Sequence, residues 1–561
     1  MVGHAHSGSE WVERPMTAAE GAGREQAGRP EPTRKSPTPE NALPARFGKN
    51  VFMNYAAQGL TALSAVVLTP ILLHHLGKTT YGLWVVASGA VAYLELFELG
   101  FGGATTKLIS EDASVRPELA LRTLNTTFFV LVPLGLIALL AGVGLSFALP
   151  HLVHVAPNQG TEVVVVVVLL ALGLAASIPG DTFGGALVGH QRYDLLAASN
   201  ASMTVATAVV SIAVVVSGGG IVMLAVATTV ISILFHLVRL SMVSRIMPGT
   251  RISPHLIDRE QRRHALRLSG WFMLQAVLAA MYATGDVMIV GIVLGLRDAA
   301  IYAVGSKLAS AAINGLDAMA QVFFPYASSA ARNREPGALV EIAVDGTRVT
   351  LAAGLMASLV FLVLASPGIR AWVGPGYATS AQVLMVLAAA TALASPVRAL
   401  GNILIGSGKL PTICAIRSVE VTVNLVLSIT LALVMGPVGV AIGTLGGILL
   451  VRLPGYLVAG CRATGLRVST LARRALAPNI IPAVGCTAVL LGLRLVSVRS
   501  VPWLVFEAAA GCATYLALFF ATAATPGERR RGLAFITRPL PARWRPDISL
   551  SPPAAIVDDA S

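Results

Sequence analysis

Long uncharged runs of apolar residues fill this sequence and restrict what the chain can fold into. The run from Val163 to Gly180, for example, contains no charged residue. Runs of about 20 apolar residues have the length that a helix needs to cross a bilayer core of about 30 Å. Only 12% of the 561 residues are charged, whereas soluble domains carry about 25%. The sequence therefore predicts an all-α, polytopic transmembrane helix bundle without a soluble domain.

The apolar runs predict about fourteen transmembrane helices, which we refer to as spans 1 to 14. An odd number would scramble the charge pattern described next, so an even number is expected. The predicted spans are 49–74, 80–102, 125–148, 162–187, 195–217, 221–246, 267–294, 300–325, 346–366, 379–406, 411–435, 437–460, 475–496 and 501–523.

The basic residues are placed asymmetrically between these spans. If the N-terminus is cytoplasmic, nearly all of the 41 Lys and Arg residues fall on the inner side. The exceptions, which face outward, are Lys78, Arg297, Lys307, Arg370, Arg494 and Arg499. Because cytoplasmic segments of membrane proteins are enriched in Lys and Arg, the pattern predicts a multi-pass protein of the cytoplasmic membrane with both termini inside.

The polar segments at the two ends and in the middle suggest the domain organisation. The basic residues behind the net charge of +13 sit between the apolar runs and at the two ends of the chain, which favours contact with anionic membrane lipids over nucleic acid binding. The predicted parts are a disordered N-terminal extension (1–47), an N-lobe (48–250), a basic linker (251–265), a C-lobe (266–465), an extra helix pair (470–525) and a basic tail (526–561).

Two short matches indicate an internal repeat. Leu187, Gly189 and Arg192 correspond to Leu404, Gly406 and Lys409 at an offset of 217 residues. A looser match relates Ile71–Gly82 to Ile289–Tyr302. Spans 1–6 and 7–12 are therefore predicted to be two copies of a six-helix unit. Because six is even, both copies enter the membrane from the same side, as in transporters built from parallel repeats.

Several stretches resemble one family of membrane proteins. They are Thr69–Trp84, Tyr93–Glu111, Asp286–Leu308, Phe323–Ser328 and Gly406–Thr444. Their order and spacing resemble the Wzx-type polysaccharide-exporter flippases, over about residues 45–465. That family belongs to the multidrug/oligosaccharidyl-lipid/polysaccharide (MOP) superfamily, together with the MATE drug transporters and the lipid II flippase.

The resemblance implies both a fold and a function. The fold would be two six-helix lobes around a central cavity, with spans 13 and 14 added, as in the lipid II flippase. The function would be to move an undecaprenyl-diphosphate-linked oligosaccharide from the inner to the outer leaflet by alternating access. Bacterial surface polysaccharides such as the O-antigen of lipopolysaccharide are made in this way. A polysaccharide polymerase would be a partner, and Na⁺ or H⁺ a coupling ion; the chain itself would be neither an enzyme nor dependent on a cofactor.

Ionisable residues inside the spans are the candidates for the substrate site. A diphosphate cannot cross hydrocarbon unaided, so a flippase needs polar and cationic groups that face its cavity. The candidates are Lys307, Arg398, Glu95, Glu98, Asp286, Asp317, Arg417 and Glu420.

Structural roles for the same side chains stay open. Lys307 could pair with Asp286 or extend towards the interface, and Arg417 could pair with Glu420 three residues later. Glu95 and Glu98 could instead pair with Lys107 or lie at a helix end.

Two other functional classes remain open at this point. The first is a membrane glycosyltransferase, polymerase or ligase of the same pathway, which the short predicted outer loops disfavour. The second is a cation-coupled drug or metabolite antiporter, which the lack of an acidic residue in span 1 (49–74) disfavours. Neither a Walker A loop nor a hydrolase motif is found, and no spacing of Cys and His residues suggests a metal site.

Overall fold

The structure is a computed structural model in which every regular element is helical. It describes residues 39–98, 105–106, 108–110, 117–153, 155, 159–247, 249–256, 259–333, 336–496, 500–524 and 529. The chain divides into two compact units, Met1–Lys49 and Asn50–Ser561. The predicted tail at 526–561 and most of the predicted N-terminal extension lie outside the described residues. A helix begins at Pro39, before the extension's predicted end, and proline is favoured in the first turn of a helix.

Sixteen α-helices follow one another in the described part of the chain. They are α1 (Pro39–Ala92), α2 (Pro117–Leu152), α3 (Gly160–Gly189), α4 (Tyr193–Val216), α5 (Ile221–Ile246), α6 (Arg259–Val293), α7 (Leu296–Gln321), α8 (Phe323–Arg332), α9 (Pro336–Val373), α10 (Ala378–Gly406), α11 (Leu410–Met435), α12 (Pro437–Gly447), α13 (Leu453–Thr464), α14 (Val468–Leu471), α15 (Ile480–Arg494) and α16 (Val501–Leu518). A 3₁₀ turn, Tyr93–Glu98, follows α1, and a π-helical segment, Ile448–Arg452, joins α12 to α13.

Eleven helices in the described part of the chain are long and apolar enough to cross a membrane. The first of them, Ala57–Glu98, covers predicted spans 1 and 2, which are separated by a kink at Gly77. Predicted spans 7 and 8 correspond to α6 and α7, which are not among the eleven. The described side chains of α6 from Val277 to Val293 form a shorter apolar helix, and α7 carries Lys307 and Asp317. The predicted fold class, a polytopic helix bundle, is confirmed.

Residues 57–246 are called the first lobe below, and residues 259–464 the second lobe. The two lobes share one apolar core at the end of the bundle where the chain turns near Gly77, Gly218 and Gly295. Val86, Val166, Val290 and Leu384 belong to this core. Contact between the lobes is tight there, because a Cβ at Gly291 would lie 2.6 Å from a methyl carbon of Val86. This is called the closed end.

At the opposite end of the bundle each lobe has its own apolar core. In the first lobe Leu124, Leu187 and Val243 pack together, and in the second lobe Leu400 and Tyr456 do so. This is called the open end. The buried apolar residues of the two lobes thus form one shared core at the closed end and separate cores at the open end. The charge pattern of the sequence predicts that the open end is cytoplasmic.

The C-terminal helices α15 and α16 pack against each other and against α9 of the second lobe. A buried polar contact fixes them, because the Tyr515 hydroxyl donates to Asn479 Oδ1 at 3.0 Å. The Asn479 amide in turn donates to the carbonyl oxygen of Arg348 at 3.3 Å. Spans 13 and 14 are thus an addition to the side of the second lobe.

The turn that ends α3 has the same geometry as the turn that ends α10. Arg192 N–H donates to Leu187 O at 2.8 Å, and Lys409 N–H donates to Leu404 O at 2.8 Å. This is the Schellman turn, which needs one residue with positive φ. Gly408 supplies it in the second lobe (φ 75°), and Gln191, at the offset of 217, supplies it in the first (φ 60°).

Candidate functional site

The main candidate site is a cavity of about 390 Å³ inside the second lobe. It lies between helices α6, α7, α10, α11 and α12. Small side chains line much of the cavity, together with polar and charged groups. The polar and charged residues that line it are Tyr282, Asp286, Tyr302, Ser306, Ser310, Asn314, Asp317, Thr391, Arg398, Arg417, Thr444 and Arg452. Four of the eight candidates from the sequence, Asp286, Asp317, Arg398 and Arg417, meet in this cavity.

Asp286 is held at the side of the cavity by two hydroxyl groups. Tyr302 and Thr444 both donate to its Oδ2 atom at 2.7 Å. The Asn424 amide donates to the Thr444 hydroxyl at 3.0 Å and so orients it. The sequence left open a pair between Asp286 and Lys307; that alternative is wrong, because hydroxyls from α7 and α12 hold this carboxylate.

Arg398 and Asp317 form an ion pair across the cavity, between α10 and α7. The Arg398 side chain is 9% exposed and that of Asp317 is 48% exposed, so the carboxylate faces the open space of the cavity. No partner for Arg398 is evident in the sequence, because the two residues are 81 positions apart. Arg417 lies next to the Tyr456 hydroxyl and has no carboxylate partner among the described residues.

Glu420 pairs with Arg452, not with Arg417 as the sequence spacing allowed. Arg452 Nη2 lies 2.8 Å from Glu420 Oε1, and its Nε donates to Oε2 at 3.0 Å. The guanidinium also lies over the Tyr282 ring, 4.4 Å from its centroid, in a cation–π contact. Because Arg452 is on the π-helical segment, its side chain is turned towards α11.

Lys307 is exposed and lies near the middle of α7. It has neither an ion-pair nor a hydrogen-bond partner in the part of the chain that the structure describes. Ser310 and Asn314, three and seven residues later, line the cavity. Because residues at these spacings share a helix face, Lys307 is on the same side of α7 as the cavity-lining residues, about one turn nearer the closed end.

A second cavity of about 230 Å³ continues the first towards the open end. Asp317, Arg398, Arg417 and Arg452 line both cavities. The four charged groups therefore form a polar path along the inner half of the second lobe.

Glu95 lies apart from this site, in the first lobe. It is exposed and lines a cavity of about 220 Å³ together with Ser88, Ser177, Thr228 and Ser232. Glu98 follows in the same 3₁₀ turn and is half-buried. Since a 3₁₀ helix has three residues per turn, the two side chains lie on one face, as predicted. Lys107, their predicted alternative partner, lies outside the described residues.

A charged cluster in the first lobe is absent from the candidates taken from the sequence. Arg239 Nη1 lies 3.1 Å from Asp181 Oδ1, and its Nη2 donates to Asn200 Oδ1 at 2.6 Å. His236, one turn earlier, is 7% exposed and packs against Gly180. Asp181 and Arg452 both interrupt apolar runs, and an ionisable residue in such a run is a signal for a functional or structural polar site.

The groups of the site can bind an anion, because guanidinium groups form charge-assisted hydrogen bonds with it. The site combines guanidinium groups, hydroxyls and the carboxylates of Asp286 and Asp317. Among the described residues no group of three or more His, Cys, Asp or Glu side chains could hold a metal ion.

A family model described as "Polysaccharide biosynthesis protein" matches residues 47–331 of the chain. The match covers the first lobe and continues through α7 into the second. No curated protein sequence matches the chain significantly.

Solved structures with the same fold include transporters of the MOP superfamily. A lipid II flippase, MurJ, in an inward closed conformation has a TM-score of 0.66 at 12% identity, over 88% of this chain and 99% of its own. An inward-facing MATE multidrug transporter has a TM-score of 0.62 at 15% identity, over 74% of this chain and 96% of its own. A MOP transporter from Pyrococcus furiosus, whose description reports a reversed polarity of the binding pocket, has a TM-score of 0.56 at 16% identity, over 76% of this chain and 95% of its own.

Proposed function

Because the chain belongs to the polysaccharide biosynthesis protein family, a family of membrane transporters and flippases, we propose that it moves an undecaprenyl-diphosphate-linked oligosaccharide from the inner to the outer leaflet of the cytoplasmic membrane. The observation that carries the proposal is the pairing of a closed end with a charged cavity that leads to the open end. A lipid-linked sugar could enter between the lobes at the open end and meet the cationic groups there.

The charges along this path suit a diphosphate. Arg417 has no carboxylate partner in the described chain, and Lys307 is exposed and equally unpaired. Arginine and lysine bind phosphate oxygens through charge-assisted hydrogen bonds. In the proposed cycle Arg417 binds the diphosphate first, from the open end, and Lys307 binds it nearer the middle of the membrane.

The ion pair between Arg398 and Asp317 is proposed to open when substrate enters. Asp317 is half exposed to the cavity, so an incoming phosphate can replace it as the partner of Arg398. The exchange leaves Arg398 with an anionic partner throughout, which avoids the cost of an unpaired buried charge.

Coupling to an ion gradient is proposed to act through Asp286. Its carboxylate accepts two hydrogen bonds but lacks a cationic partner within the described residues. A buried carboxylate in this state gains from a proton or a sodium ion. Na⁺ or H⁺ bound there would favour one conformation of the lobes over the other.

The lipid II flippase match covers more of this chain than the MATE match does, by enough to include the C-terminal helix pair. This supports a lipid-linked substrate over the drug or metabolite antiporter, and a transporter over a polymerase or ligase.

Reconstitution into vesicles tests the proposal. Purified protein is placed in liposomes with a fluorescent polyprenyl-diphosphate-linked oligosaccharide, and its movement is measured as loss of fluorescence to an impermeant quencher. We expect Lys307→Gln to slow movement about tenfold, the value of one charge-assisted hydrogen bond, and Lys307→Arg to retain most of it.

Arg297→Gln is the control, because Arg297 is an exposed arginine on the same helix, ten residues before Lys307 and at the closed end. The proposal fails if wild-type protein leaves the labelled lipid in place while it transports a cationic drug. It also fails if cells in which the gene for this protein is deleted make polymer of altered length but translocate the lipid-linked sugar normally.

A further inference from the structure

A pocket with two arginine side chains lies at the closed end, between the second lobe and the C-terminal helix pair. Its volume is about 270 Å³. Arg370, in the last turn of α9, and Arg494, the last residue of α15, line it together with Ser366 and with Leu504 in the first turn of α16. The function proposed above uses neither arginine.

The presence of two arginines here is unexpected from the charge distribution. Only six Lys and Arg residues are predicted to lie on the outer side, and two of them meet in this one pocket. Cations on that side oppose the usual orientation signal. Their placement in one pocket therefore points to an anionic ligand whose binding compensates for this unfavourable position.

A buried acid, Glu507, lies next to Arg494. Glu507 is 0% exposed, and its Oε1 accepts a hydrogen bond from Trp503 Nε1 at 2.8 Å. Arg494 Nη1 lies 3.7 Å from Glu507 Oε2, while its side chain remains 34% exposed. Glu507 thus attracts the guanidinium without a hydrogen bond to it, and the N–H groups of Arg494 stay available to the pocket.

Arg370 is exposed, and its guanidinium has neither a hydrogen-bond nor an ion-pair partner within the described ranges. The two arginines together therefore exceed the one acid beside them by one positive charge. Guanidinium groups bind phosphate oxygens in a bidentate manner, so the pocket is suited to a phosphate monoanion.

Aromatic residues place the pocket at the level of the lipid headgroups. Trp372 follows Arg370 by two residues, and Trp503 precedes Leu504. The Trp503 ring packs with Phe506, with 5.2 Å between ring centroids. Tryptophan is enriched at the boundary between hydrocarbon and water, which is the depth at which a phospholipid carries its phosphate.

We propose that Arg370 and Arg494 form a binding site for the phosphate headgroup of a lipid in the adjoining leaflet, and that the bound lipid holds the C-terminal helix pair against α9. The site is separate from the substrate path and does not depend on the function proposed above. A phosphatidylglycerol and a polyprenyl phosphate carry the same chemistry, and the experiment distinguishes them.

Lipid binding to the full-length protein is measured in detergent by native mass spectrometry. Wild type, Arg370→Gln and the control Arg297→Gln are each titrated with phosphatidylglycerol, phosphatidylcholine or undecaprenyl phosphate. We expect wild type and the control to retain the anionic lipids over phosphatidylcholine, and Arg370→Gln to bind them about threefold to tenfold more weakly. That range reflects one charge-assisted hydrogen bond in a partly solvated site. The anionic lipid that binds more tightly identifies the source.

A second variant is designed so that it does not leave a buried charge unpaired, which could cause misfolding. Arg494→Gln alone would leave Glu507 buried without a cation, so it is combined with Glu507→Gln. We expect this double variant to lose anionic lipid binding and the increase in melting temperature that phosphatidylglycerol gives the wild type. Equal retention by Arg370→Gln and wild type overturns the proposal. An equal loss in Arg297→Gln also overturns it, because binding would then reflect general surface charge.

Discussion

Three equivalent helix positions take part in polar contacts in each lobe, but the residues at these positions carry different charges in the two lobes. In the first lobe the positions hold Asp181, Asn200 and Arg239, which bond to one another. At the offset of 217 residues they correspond to Arg398, Arg417 and Tyr456 in the second lobe. There Arg417 lies next to the Tyr456 hydroxyl, and Arg398 finds its acid, Asp317, on another helix.

The difference shows what a duplicated fold retains and what it can change. The turns that end α3 and α10 have the same hydrogen bonds, so the helix geometry is common to both copies. In the first lobe the three positions balance one acid with one base, whereas in the second they hold two bases. Asp317, on another helix, pairs with Arg398, so Arg417 is the one of these two bases that has no carboxylate partner among the described residues.

The largest effect is expected at the buried pair of the second lobe. Arg452→Gln leaves the Glu420 carboxylate, which is 1% exposed, without its cation. We expect the free energy of unfolding to fall by about 3–5 kcal/mol, measured by reversible denaturation in detergent. The double variant Arg452→Met/Glu420→Leu removes both charges, and most of the stability should return. A double variant as unstable as the single one would contradict this account.

A smaller effect is expected at the equivalent positions Arg417 and Asn200. Arg417→Gln removes an unpaired cation from the cavity, and transport of the lipid-linked sugar should slow about tenfold or more because a charge-assisted hydrogen bond is lost. Asn200→Ala should slow transport about threefold at most, since it removes a neutral group outside the cavity. Both are measured in the vesicle assay, with melting temperatures as the control. Equal slowing in the two variants would remove the functional distinction between the lobes.

The first lobe's ion pair should contribute less to stability than the second lobe's. Arg239→Gln leaves Asp181, but that side chain is 43% exposed and can be hydrated. We expect a loss of about 1–2 kcal/mol in the same denaturation experiment. Arg192→Gln, which breaks an exposed pair with Asp194, is the control and should leave stability nearly unchanged. A loss as large as that in Arg452→Gln would show that exposure does not separate the two pairs.

The smallest effect is expected at the paired turns. Gln191 has φ 60°, a conformation in which a side chain is strained and glycine is not. Gln191→Gly should therefore stabilise the protein by about 0.5–1 kcal/mol, and Gly408→Gln should destabilise it by about 1–2 kcal/mol. Denaturation midpoints measure both. Shifts of the same sign in the two variants would sink the argument that the turns are equivalent.

The fold could be predicted from the sequence because transmembrane helices depend on local composition. Apolar length defines a span, and the kink at Gly77 and the polar side chains of α7 did not obscure the pattern. The orientation, the domain limits and the functional roles of the eight candidate residues stay predictions.

The pairing of the charges could not be predicted, because it depends on contacts between distant helices. Spacing of three residues suggested Arg417 with Glu420, but the π-helical segment at Ile448–Arg452 brings Arg452 to that acid. Hydroxyls of Tyr302 and Thr444 satisfy Asp286, and hydroxyls carry no charge signal in a sequence. Asp181 is not among the eight candidates although it interrupts an apolar run, a signal that is readable in the sequence.

The closed end has two properties: its apolar packing is close, and few of the described polar contacts cross it between the lobes. It is built mainly from alanine, valine, leucine and isoleucine side chains, and an apolar layer of this kind opposes the passage of ions. Yet the described polar contacts that cross between the lobes there are few, such as those from Trp372 to Val66 O and from Lys78 to Gly376 O. No ion pair of the described residues is separated when such a surface parts, and Lys78 can exchange a carbonyl oxygen for water, so the lobes can move apart without a large electrostatic barrier.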